Sequence, residues 1–213
     1  MSIVPSPLPR RYHARLDLAH DRLKTFQSYI GELHSASLDP RDVLFPHTVW
    51  FLVLSELLEG SVWARVARRG AWAYYLPGLK RQMIGVQLQI APGKKESLSL
   101  SKGPLVDSVV RLVRRASVDK RCQGLNLEYR LLIAPALQLA CVWLRGQEGF
   151  EVFIPATHGK GSLQYGKWFS RKEVRQGMLD RAERHLAAQK RAKELLRARG
   201  GQDRVEVTRG STD

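Results

Sequence analysis

The sequence predicts an α+β chain, with helices packed on a small, mostly antiparallel sheet and a long helix at the C-terminal end. Three observations carry that reading. Residues Tyr12 to His34 place Tyr12, Leu16, Ala19, Leu23, Phe26, Ile30 and Leu33 at steps of three and four, which puts them on one helical face. Ile84, Val86, Leu88 and Ile90 alternate with polar or small residues, which is the period of a strand. Ser170 and Glu173 form a capping-box pattern at the head of a long run without Pro.

Taken in order, residues 1–10 read as a flexible Pro-rich arm. The helix from Tyr12 to His34 should dock on the core, because its apolar face would otherwise stay in water. Pro46 is expected to open a second helix that ends near Gly60. Val49 to Leu54, Leu57 and Leu58 cover nearly its whole circumference, which predicts burial on several sides. Ser61 fits the N-cap of a third helix, stopped by Pro77-Gly78.

The period then changes. Ala91 to Lys94 reads as a turn, and Leu98 and Leu100 resume the alternation, so residues 84–100 predict a hairpin. Pro104 suits the first position of a helix running to Ala116. Tyr129 to Ile133 reads as a strand interrupted or bent at Pro135. The run from Pro135 to Leu144 fits either a continuing strand or a helix, since short apolar runs carry no decisive period. Gly146 to Gly149 is a turn and Phe150 to Ile154 a returning strand. The last helix is expected to stop at Gly200-Gly201, about 43 Å from its start at the standard rise per residue. Its apolar stripe of Leu179, Ala182 and Leu186 is broken by Gln189 and Lys193, so its second half should project. Residues 11–200 are thus expected to be one domain and 201–213 a polar tail.

Charge is the unusual property. The 213 residues hold 35 Lys and Arg against 20 Asp and Glu, a net charge of +15. The excess is uneven: residues 81–120 hold 8 positive and 3 negative groups, and residues 170–213 hold 12 and 7. Such an imbalance favours nucleic acid, anionic lipid or another polyanion as partner. Two cysteines, Cys122 and Cys141, cannot build a disulfide scaffold, and a reducing, cytoplasmic setting is expected. The N-terminal residues lack the apolar core of a secretory signal. No apolar run is long enough to span a bilayer as a helix.

Three basic segments are candidates for a polyanion surface. Arg65, Arg68, Arg69 and Trp72 share one face of the expected third helix, and an indole among guanidiniums can stack on a base. Arg111, Arg114 and Arg115 repeat the pattern on the fourth, where Asp107 is placed to pair with Arg111. The segment from His158 to Trp168 is glycine-rich and holds Lys160, Lys167 and Trp168. It leads into a capped helix start with Arg171 and Lys172, where backbone N–H groups and cations can approach phosphate. Its spacing is neither a P-loop nor a dinucleotide fingerprint. A solvated basic face is the plain alternative for all three segments.

Catalytic chemistry has thin support. Cys141 with His158 is the one nucleophile–base pair worth weighing, yet Cys141 lies in Leu-Ala-Cys-Val-Trp, which reads as core. Glu56 and Glu59 lie one turn apart on the expected second helix, where an ion pair with a nearby arginine explains them. No HExxH, zinc ligand set, GxSxG or nucleotide-binding motif occurs, so neither metal nor cofactor is expected. The sequence therefore predicts a non-catalytic binding or adaptor protein with a basic surface for nucleic acid or another polyanion. The alternatives are an assembly module that docks an acidic or helical protein partner, and a cysteine-dependent hydrolase.

Overall fold

The computed structural model describes residues 44–77, 83–89, 97–147, 149–158 and 161–207, with side chains described as far as Arg197. The Pro-rich arm, the expected helix at 12–34, the turn at 91–94, Lys160 and the end of the polar tail lie outside the described residues.

The core is one seven-stranded sheet, larger than the small sheet the sequence predicts. Its strands are β1 (Leu44–Leu52), β2 (Ala67–Pro77), β3 (Met83–Gln89), β4 (Ser97–Lys102), β5 (Glu128–Ala134), β6 (Leu139–Arg145) and β7 (Glu151–Pro155), in spatial order β4-β3-β2-β1-β5-β6-β7. Every pairing is antiparallel except β1 with β5, where Thr48 to Phe51 run parallel to Arg130 to Ile133. From β1 in the middle the described chain meanders out to one edge. It then crosses back through a helix to lie beside its starting strand, and meanders out to the other edge. A parallel neighbour needs such a crossover.

Helices lie on both faces. The crossover helix α3 (Pro104–Val118) buries Val106, Val109, Val110, Val113 and Ala116 against one face. The other face holds α1 (Leu54–Leu58), α2 (Trp63–Val66) and the first half of α4 (Arg171–Val207). Here Val174, Met178 and Ala182 of α4 meet Cys141 and Trp143 of β6 and Phe153 of β7. Gly177 permits this packing, because a Cβ there would stand 2.5 Å from Leu163 Cγ. The capping box forms: Glu173 accepts from the Ser170 backbone N–H at 2.7 Å, and the Glu173 N–H donates to Ser170 Oγ at 3.3 Å.

Four expectations are corrected. Residues up to Leu52 belong to strand β1, and of the expected second helix only Leu54–Leu58, the short α1, is helical. A strand covered on both faces has the same unbroken apolar run as a fully buried helix. Residues 67–77 are strand β2, between β3 and β1, and not a third helix. β6 does not continue β5 but folds back on it after a single 3₁₀ turn at Pro135–Leu137, with Gln138 in the left-handed region at φ 48°. Finally, α4 runs unbroken past Gly200-Gly201. Its buried stripe is Val174, Met178 and Ala182, while Leu186 is 44% exposed.

Candidate functional site

β2 dissolves the first basic constellation. Arg65 lies in α2, and Arg68 and Arg69 are neighbours on a strand, so their side chains leave opposite faces. Arg68 pairs with Glu56 at 3.0 Å, and Ser61 Oγ donates to the other oxygen of that carboxylate at 2.6 Å. Trp72 is only 8% exposed, which removes it as a stacking platform. Arg65 and Arg68 stay together, with Arg68 Nε donating to the Arg65 carbonyl at 3.3 Å, but Arg69 on the other face and the buried Trp72 do not join them.

The second and third segments do converge. Arg111, Arg114 and Arg115 are exposed along α3, and Asp107 accepts from the Met83 backbone N–H at 3.4 Å instead of pairing with Arg111. A Cβ at Gly166 would lie 3.8 Å from Arg115 Nη1, so the loop carrying Lys167 and Trp168 abuts the end of α3. One face of Trp168 is already covered by the Arg121 guanidinium, 3.7 Å from the ring centre. That guanidinium is in turn held by Asp119 at 2.7 Å, so its charge is largely spent locally. Lys172 is exposed, whereas Arg171 is bonded to Glu151.

A more enclosed arrangement lies at the other end of this loop. Ala136, Leu137 and Gln138 of the 3₁₀ turn, His158, and Arg181, Arg184 and His185 of α4 line a cleft of about 380 Å³. The three α4 residues sit at i, i+3 and i+4, which puts them on one face. The two arginines and two histidines are held. Arg181 donates from Nη2 to the Leu163 carbonyl at 3.3 Å, and Arg184 from Nε to the Asp180 carbonyl at 3.0 Å. His185 is bonded to Gln189 at 2.9 Å, and His158 stacks on Tyr165 with ring centres 4.2 Å apart. Gly161 leaves the space that the Arg184 guanidinium fills.

Among the described residues, no acidic side chain lines the cleft. Arg181 is 9% exposed, and burial pulls its affinity for the proton down, with the nearby charge of Arg184 acting in the same direction. An arginine still stays charged at any relevant pH. Of these residues, sequence reasoning had singled out only His158. The available signal was Arg181 beside Met178 and Ala182, a cation at the margin of an inward-facing apolar stripe.

Cys141 is fully buried, and desolvation pushes its thiol up to about 12; the positive charge of Arg181 opposes that shift without reversing it. Nucleophilic chemistry needs the thiolate, which such a site disfavours. His158, its expected partner, is exposed. A thiol reagent added to native protein is accordingly expected to leave Cys141 unmodified until unfolding. Rapid labelling at neutral pH would restore the hydrolase reading.

Among the described residues, no cluster of His, Cys, Asp and Glu could hold a metal ion, and no helix is long and apolar enough to cross a membrane. The chain matches no family model, no curated protein and no solved structure.

Proposed function

We propose that this chain is a non-catalytic binding or adaptor protein that engages a polyanion, with nucleic acid the best-fitting class. The observation that carries the reading is the second half of α4. Residues 183–197 are all exposed, so this stretch is a rod about 22 Å long at the helical rise. It holds Arg184, Lys190, Arg191, Lys193 and Arg197 against Glu183 and Glu194. The exposed Arg111, Arg114, Arg115, Lys167 and Lys172 add to the positive field. None of this is base-reading geometry, so binding should be tolerant of sequence and governed by counterion release.

Titration of a labelled oligonucleotide at about 50 and 200 mM salt tests this. Affinity should fall by one or more orders of magnitude across that range if several phosphates are contacted. Absence of binding at the lower salt overturns the nucleic-acid reading.

The same helix supports a second reading, docking of a helical protein partner. Leu195 and Leu196 are 66% and 70% exposed near its projecting end, and apolar residues so placed on a free helix suit a groove or a partner helix. Replacing both by Gln should leave oligonucleotide affinity unchanged and abolish such docking.

A further inference from the structure

Arg181 is the group whose surroundings leave most unexplained. It is nine-tenths buried, and no carboxylate among the described residues pairs with it. Its hydrogen bond among the described residues goes to a neutral carbonyl, and its Nε is buried without a partner. A buried cation lacking a counter-charge is costly, and here a second guanidinium, Arg184, faces the same space. Both costs fall if an anion enters the cleft.

We propose that the cleft lined by Gln138, His158, Arg181, Arg184 and His185 is a seat for a phosphoryl group, either inorganic phosphate or a phosphate monoester. Two planar guanidinium forks match a dianion with several oxygens better than they match a single carboxylate. His158, His185 and the Gln138 carboxamide supply further N–H donors. The arginines are already fixed by Leu163, Asp180 and Gly161, so little ordering is needed on binding. A volume of about 380 Å³ exceeds a bare phosphate; it falls at the small end of ligand pockets and leaves room for the group that carries the phosphate. The source of the phosphoryl group rests on the polyanion reading; the seat itself does not.

The test is calorimetric titration of the full-length protein with inorganic phosphate at constant ionic strength set with chloride. Wild type should show saturable one-site binding. Arg184→Gln, an exposed substitution at the cleft, should weaken it about tenfold or more, as expected for loss of a charge-assisted contact. Arg191→Gln, on the projecting half of α4, should leave it unchanged. No saturable binding, or equal weakening by both substitutions, overturns the seat. The source is read from two oligonucleotides alike except at the 5′ end. If a strand terminus is the ligand, the 5′-phosphorylated form binds more tightly than the 5′-hydroxyl form, and Arg184→Gln erases the difference. Phosphate binding with neither oligonucleotide bound supports the seat for a small phosphorylated molecule and overturns the nucleic-acid function. Oligonucleotide binding without phosphate binding does the reverse.

Discussion

Trp143→Ala should cost about 3–5 kcal/mol of folding stability, the range for removing a large aromatic from a packed site. Trp143 is 2% exposed at the centre of the α4 face of the sheet. Its ring stacks on Phe153 at 5.3 Å and meets Trp50 and Trp63 edge-on at 5.3 and 6.2 Å. The Arg130 guanidinium lies 4.7 Å from its centre and 4.8 Å from that of Trp50. Truncation therefore leaves a cavity, breaks aromatic pairs worth about 0.5–1.5 kcal/mol each, and uncovers a buried charge held by Glu128 at 2.5 Å. It also removes the indole N–H that donates to Glu151 at 2.9 Å. Trp143→Phe keeps much of the packing and loses that hydrogen bond, so about 1–2 kcal/mol is expected. Urea midpoints of the two variants check both values. A loss below about 1 kcal/mol for the alanine variant would mean that the site collapses onto the gap.

The same cluster explains why half of the sheet was hard to read. Trp50 on β1 and Trp143 on β6 belong to non-edge strands packed on both faces, and such strands carry no alternation of polar and apolar residues. Val49 to Leu54 was therefore open to a helical reading. Across α2 and β2, Arg65, Arg68, Arg69 and Trp72 fall by chance at helical spacing, and only the pairing of β2 with β1 and β3 decides against a helix. β3 was legible because its glycine and glutamines alternate with the apolar residues, and α3 because its stripe is narrow and Pro104 marks its start. The capping box was legible because both partners are local. At the site the difference is one of range. The cleft is assembled from a turn at 136–138, a loop at 158 and a helix at 181–185, and no spacing in the sequence joins them. What the sequence did hold was Arg181 at the edge of a buried stripe, a departure from amphipathicity that reads as meaningful only once the stripe itself is placed correctly.

Lowering the pH from about 6.5 to about 4 should remove about 3 kcal/mol of stability through one residue, His47. Its side chain has no exposed surface and lies between Tyr75 and Tyr129, with ring centres 5.1 and 4.3 Å away. Nδ1 is 2.7 Å from the Phe45 carbonyl, the geometry of a ring N–H donating to it, while Nε2 has no partner. That bond ties down an irregular start to β1, where Phe45 has φ 50° and the register shifts between Leu44 and His47. Protonation would add a second N–H, and a charge, in an apolar space with nothing to receive either. Burial accordingly lowers the His47 pKa from 6.5 to about 4, although the bond to Phe45 favours the proton. In the unfolded chain the imidazole takes up a proton near its ordinary value, while the folded protein refuses it until about 4. The unfolded state therefore binds more protons throughout that window, and stability falls as the pH falls. Each pK unit is worth 1.36 kcal/mol, which sets the size of the effect. Asp119, held down to about 2 by Arg121, loses its contribution below the usual carboxylate range and so acts at lower pH. His47→Phe retains a ring in the same space and cannot titrate. Urea unfolding of wild type and variant at pH 7 and pH 4 isolates the residue: wild type should lose about 3 kcal/mol more than the variant between the two. Equal losses would mean that His47 takes up its proton in the folded state as readily as in the unfolded one, and that the bond to Phe45 outweighs its burial.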